Sequence, residues 1–156
     1  MSDLPDWLKL MKDQRWAALG TISKSGTPLV SSVAYHIAGM PLPGLLMHLS
    51  ELAAHTGNLL RTPDCSLLVS EPDTGIDDPQ LLRRLSLVGI ATLIPRESED
   101  FGCAAKQYIE RFPNSEMRFG LGGFHLFRFV PRKANYVGGF GAAEKISGNR
   151  LLEQLF

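Results

Sequence analysis

The chain has 156 residues, 44% of them hydrophobic and 21% charged, with 16 basic residues balancing 16 acidic ones. This length fits one globular domain, residues 1–156, with a proper core. The charge balance supplies no overall field for nucleic acid or an anionic membrane, so any partner is recognised locally.

The N-terminus MSDLPDWLKLMKD places acidic residues before its apolar ones and has no uninterrupted apolar stretch. It reads as neither signal peptide nor membrane anchor, and the expected compartment is cytoplasmic. Within residues 1–14, Leu4, Trp7, Leu8 and Met11 recur at helical spacing, so an amphipathic helix opens the domain. Residues 15–23 (RWAALGTIS) and 28–37 (PLVSSVAYHI) read as strands, joined by a turn in which Gly26 takes the positive φ of a hairpin. A third strand over 45–49 leads into HLSELAAHTGNLLRTP, whose helix starts near Ala53 or Ala54 and ends before Pro63. In that helix Leu52, Thr56, Leu59 and Leu60 form the expected apolar stripe, and Asn58 shares the His55 face.

Residues 65–70 are β-like, and 71–80 (EPDTGIDDPQ) form an acidic surface loop. Residues 83–95 (RRLSLVGIATLIP) read as a long strand, apolar on both faces and therefore in need of cover on both. A helix is expected within 98–112 and a strand over 123–130, followed by a C-terminal tail over 142–156. Cys65 and Cys103 lack C-x-x-C spacing and are read as buried structural thiols. Strands mostly in hairpin order, with helices after the third and fifth, indicate a mainly β fold: a small antiparallel barrel with helical covers.

No G-x-S-x-G, Walker, H-E-x-x-H or paired C-x-x-C motif occurs. His36, His48, His55 and His125 include no i, i+4 pair, so no sequence-local metal site is expected. The polar cluster Ser50, His55, Thr56 and Asn58 stands where a helix presents unpaired N–H groups and the positive end of its dipole. Such a cluster serves either as an anion site or as surplus capping. Ser31, Ser32 and Val33 interrupt a strand with two hydroxyls, which either face water or edge a flat polar heterocycle. Arg83 and Arg84 lie near the acidic loop as solvated or site-lining cations.

Three segments, ALGTISKSGTPLVSSVAYHI, LMHLSELAAHTGNLLRTPDCSLLVSEP and RLSLVGIATLIP, followed by YVGGFGAA, resemble the pyridoxamine 5'-phosphate oxidase-like FMN-binding split barrels, in the branch that includes haem-utilisation proteins. The resemblance implies a six-stranded antiparallel split β-barrel with helices and a homodimer with FMN at the subunit interface. It also implies an oxidoreductase role on a small-molecule substrate. His55 stands at the position of the phosphate-binding lysine of the family's oxidases, within the pattern Ser50, Leu52, His55, Thr56, Asn58, Leu59 of the haem-related branch. Cofactor-binding expectations therefore fall on Ser31, Ser32, Val33, Ser50, His55, Thr56 and Asn58, with no metal and no assigned catalytic residue. The segment Tyr136 to Gly141 either closes the site or forms a plain tight turn. Residues 126–156 contain neither histidine nor tryptophan, which departs from the family's vitamin B6 oxidases and from the tail histidine of its haem-binding members. Two alternatives stand beside the FMN reading: a haem-binding or haem-degrading protein of the same fold, and a non-enzymatic flavin-binding or flavin-sensing module.

Overall fold

The computed structural model describes residues 3–139 and 141–156. A first helix, α1 (Asp6–Asp13), is followed by β1 (Trp16–Ile22), β2 (Pro28–Ala34), β3 (His36–Ala38) and β4 (Gly44–Ser50). Then come α2 (Ala54–Arg61), β5 (Asp64–Ser70), β6 (Arg84–Leu93), α3 (Phe101–Arg111) and α4 (Glu116–Phe119). The chain closes with β7 (Phe124–Val137), β8 (Ala143–Ser147) and α5 (Gly148–Leu155). Every strand pairing is antiparallel, in the order β2-β1-β5-β6-β7-β4-β3 with β8 on β7.

β2 and β3 stand at opposite ends of this order, yet Tyr35 alone separates them. One extended residue spans about 3.3 Å, so the sheet curls until its two ends meet. The result is the expected mainly β split barrel, with eight strands instead of six. The two extra strands have clear origins. The 28–37 run breaks at Tyr35 because its second part changes partner from β1 to β4, and the tail forms β8 and α5.

The barrel interior is filled by alternate residues of its strands: Leu19, Met47, Leu67, Leu87, Phe127 and Phe129 are all buried. Trp7, Leu8, Leu10 and Met11 of α1 and Leu151 of α5 belong to the same core, so these two helices seal it. A second, smaller core lies outside the sheet, where Leu46 and Leu126 of β4 and β7 meet Ala104, Ala105 and Tyr108 of α3. Helices thus cover the outer face of the β3–β4–β7 half.

The outer face of β2–β1–β5–β6 has no such cover in the single chain. Two of its registered rows read Val30–Gly20–Ser66–Val88 and Ser32–Ala18–Leu68–Ser86, without a charged side chain. Trp16 is 60% exposed and Val30 71%. The expectation that β6 needs cover on both sides therefore becomes an observed asymmetry: Leu85, Leu87 and Ala91 are buried, while Ser86 and Val88 face out. The two-thiol expectation divides: Cys65 is buried, with its thiol pushed up to about 12, whereas Cys103 is exposed on α3. Cys103 lies off the face that α3 packs on the sheet, so no core contact claims it.

The β6–β7 ladder shifts register between Val88 and Gly89, where a Cβ on Gly89 would lie 2.3 Å from the Val130 carbonyl oxygen. That neighbour is backbone and has nowhere to retreat, so Gly89→Ala should lower unfolding stability by about 1–3 kcal/mol. Gly102 in α3 has open space around the same position, and Gly102→Ala should stabilise by up to about 1 kcal/mol. Urea denaturation of the two variants checks both signs.

Candidate functional site

The junction of β4 and α2 uses most of its hydroxyls internally. Ser50 Oγ accepts the Leu52 N–H at 3.2 Å, and Thr56 Oγ1 donates to the Ser50 carbonyl at 2.6 Å. Ala53 occupies the helix N-cap without a side-chain cap, so the Thr56 bond fastens the first turn instead. Asn58 Nδ2 donates to Thr21 Oγ1 of β1 at 3.0 Å, and its oxygen accepts from Arg61. Thr56 is 1% exposed.

These bonds rotate α2 so that Thr56, Asn58 and Leu59 face the barrel. The expected stripe is corrected accordingly: Leu52 is 92% exposed and Leu60 is also outside, while Asn58 turns away from the His55 face. His55 reaches β2, where its Nδ1 lies 2.9 Å from Ser31 Oγ, and burial moves its pKa below the ordinary value. Ser32 points outward, and Val33 is buried in the barrel core. Of the seven expected binding residues, Ser31, Ser32, Ser50 and His55 thus keep some exposure, whereas Val33, Thr56 and Asn58 are interior.

A cleft of about 350 Å³ opens where the C-terminal ends of α1, α3 and α5 meet the β2–β3 corner. Lys12, Tyr35, His36, Ile37, Arg111 and Leu155 line it. Tyr35 is buried, its hydroxyl donates to the Met11 carbonyl at 2.7 Å, and burial raises its pKa. His36 is half-buried, and its pKa falls through burial and through the positive charge of Arg111. Basic residues in the last turns of α1 and α3 are favoured by the helix dipoles, which brings Lys12 and Arg111 to this mouth. Sequence reasoning did not assign this cleft. Its one local signal was the lone imidazole in the apolar run AYHIA.

Most of the other polar groups have structural partners. His48 stacks on Phe119 at 3.7 Å with Tyr108 and Phe124 alongside, and its Nδ1 is buried without a hydrogen-bond partner among the described residues. Burial, then Arg118, Arg96 and His125, lowers its pKa to about 4. His125 Nε2 lies 3.7 Å from Glu51. Arg83 grips Glu71 through its Nε at 2.8 Å and its backbone N–H at 2.7 Å, and Arg84 donates to the Gln80 and Leu82 carbonyls. Both arginines therefore tie down the acidic loop. In the Tyr136 to Gly141 segment, Gly138 N–H donates to the Ala142 carbonyl and Gly139 and Gly141 adopt positive φ, forming the turn between β7 and β8; Phe140 lies outside the described residues. No helix among the described residues is long and apolar enough to cross a membrane.

A family model described as CREG, beta-barrel matches residues 8–153. The heme oxygenase HutZ of Vibrio cholerae is 28% identical over 152 residues, 96% of this chain and 84% of that protein. A crystal structure of HutZ, described as a heme storage protein, superposes with a TM-score of 0.71 at 27% identity, over 81% of this chain and 88% of that one. A heme-binding protein from Mycobacterium smegmatis shares the fold at a TM-score of 0.82 and 20% identity, over 94% of this chain and 58% of its own. A pyridoxamine 5'-phosphate oxidase-type protein from Listeria innocua shares it at 0.62 and 15%, over 86% and 97% of the two chains.

These findings overturn the expectation of FMN and of an FMN oxidoreductase, because HutZ, at 27–28% identity along most of the chain, is described by haem. The geometry supplies a physical reason. The first turn of α2 offers no cationic side chain, since His55 is its one ionisable residue and burial favours the neutral ring. A phosphate there would meet hydroxyls already engaged with backbone.

Thr56→Val removes a buried donor and leaves the Ser50 carbonyl with the Ala53 N–H alone, so it should cost about 0.5–1.5 kcal/mol in stability. Thermal unfolding measures this. His48 has a folded-state pKa of about 4, below its ordinary 6.5, so the native state binds fewer protons than the unfolded chain between these values. Its contribution is fully present above about pH 6.5 and is lost as pH falls towards 4. His48→Phe keeps the stacking and should flatten that acid limb in denaturation midpoints measured across this window.

Proposed function

The chain belongs to the CREG β-barrel family, and from its similarity to HutZ we propose that it is a haem-binding protein that works as a homodimer. The two descriptions of HutZ, an oxygenase and a storage protein, differ over the fate of haem and agree that haem is held. Binding is therefore the function carried to this chain.

The observation that supports it here is that His36 and His55 are half-buried imidazoles, either of which offers the iron a ring that burial holds towards the neutral form. Haem iron takes a neutral imidazole nitrogen, the macrocycle takes apolar walls, and its carboxylates take cations or hydroxyls. All three kinds of group occur around these imidazoles. Ser31, Ser32 and Ser50 offer partly exposed hydroxyls in the region of His55, and Val33, Thr56 and Asn58 hold strand and helix in place behind them. Haem, when bound, supplies the redox and dioxygen chemistry. One of these imidazoles would hold the iron, the apolar walls would exclude water from the macrocycle, and the hydroxyls or cations would anchor its carboxylates.

Dimerisation is supported by the two central rows of the outer face of β2–β1–β5–β6, which carry no charged side chain. Its exposed Trp16, Val30, Leu68 and Val88 form an apolar surface, and two-fold pairing through one such face on each copy would cover it.

Titrating the purified protein with haemin should produce a saturable Soret band at stoichiometric haemin; a spectrum that stays that of free haemin would refute the haem reading. Val30→Glu places a charge on the outer face without entering the barrel, so sedimentation should convert a dimer into a monomer. A dimer that survives the substitution would place the interface elsewhere.

A further inference from the structure

Three of the four histidines have a ring nitrogen committed or sealed. His48 is stacked against Phe119 in the outer core, His125 faces Glu51, and Nδ1 of His55 is bonded to Ser31. His36 is different: it opens into the 350 Å³ cleft, and neither ring nitrogen has a hydrogen-bond partner among the described residues. We propose that His36 is the haem-iron ligand of this chain and that Lys12 and Arg111 take the haem carboxylates. This inference rests on the haem reading above and names the site that serves it.

The walls suit an amphipathic dianion. Tyr35, Ile37 and Leu155 give the cleft apolar sides, and the bond from Tyr35 to the Met11 carbonyl fixes the corner from which His36 projects. A ligand nitrogen held on such a fixed corner needs little reorganisation on binding. Lys12 and Arg111 stand at the mouth, and neither lies within ion-pair distance of a carboxylate among the described residues. The carboxylates that act electrostatically on the same corner are Asp13 and Glu110, on the helices that carry the two cations. Two cations without partners beside an imidazole without a partner leave the cleft short of acceptors, and carboxylates supply them.

The size sets the mode of binding. Small-molecule sites span about 300–1,000 Å³, and at about 350 Å³ this cleft would take only part of a porphyrin. The rival imidazole, His55, has no comparable cations. Arg61, on the same helix, is bonded to the Gly57 carbonyl and to Asn58.

The test compares haemin with metal-free protoporphyrin IX on the wild-type chain and on His36→Gln, His36→Gly, His55→Gln and Lys12→Gln/Arg111→Gln. Wild type should prefer haemin to the metal-free porphyrin by at least about tenfold, since only the former gains an iron–nitrogen bond. His36→Gln should move the Soret band and erase that preference, and added imidazole should restore the wild-type band in His36→Gly. His55→Gln should leave the band in place. The double cation variant should weaken both porphyrins by about tenfold without moving the band, because the carboxylates do not touch the iron. A wild-type band retained in His36→Gln, equal affinity for the two porphyrins, or a shift confined to His55→Gln would overturn the assignment while leaving haem binding intact. A wild-type chain that leaves haemin unchanged overturns both.

Discussion

The fold turns on a connection one residue long. Tyr35 is all that separates β2 from β3, which lie at opposite ends of the strand order, and this forces the sheet to roll up. Once rolled, the sheet encloses the alternate side chains of its strands, and the two ends of the resulting barrel must be closed. α1 and α5 do this with Trp7, Leu8, Leu10, Met11 and Leu151. The Tyr35 hydroxyl ties the corner to the end of α1, so the residue that closes the sheet also orients its cap. His36 emerges at the same corner, and its accessibility is a by-product of closure.

Closure divides the outside of the barrel into two halves with different fates. α3 buries the β3–β4–β7 side, and aromatic neighbours pack on the half-buried His48, whose pKa is lowered first of all by burial. The β2–β1–β5–β6 side keeps small and apolar residues in register across four strands without a helix to cover them. With no net charge on the chain, nothing at long range repels a second copy from that surface.

Polar groups that look alike in the sequence take different roles for geometric reasons. Thr56 and Asn58 spend their hydrogen bonds fastening α2 to β4 and β1, and Arg83 and Arg84 hold the acidic loop. Lys12 and Arg111, ordinary residues at the ends of two amphipathic helices, are left facing one cleft. The FMN expectation weighted the donors of the α2 junction as though all were free, and most are engaged with backbone or with one another.

Much of the architecture was legible from local pattern. Strand-like runs between turn signals marked β1 and β5, a 3.6-residue period marked α1 and α3, and Gly26 and Pro63 marked a turn and a helix end, because each of these is set by neighbours within a few residues. The segments that resembled split barrels carried the fold class for the same reason. What local pattern could not decide was which residues meet. The break at Tyr35, the rotation that exposes Leu52 and buries Asn58, and the shared cleft of Lys12, His36 and Arg111 all depend on contacts between elements far apart in the chain. The residue types and their spacing were therefore determined by the sequence alone. Which side chains were spent on holding the barrel, and which stayed free to bind, was decided only when the sheet closed, since closure alone sets the distances between them.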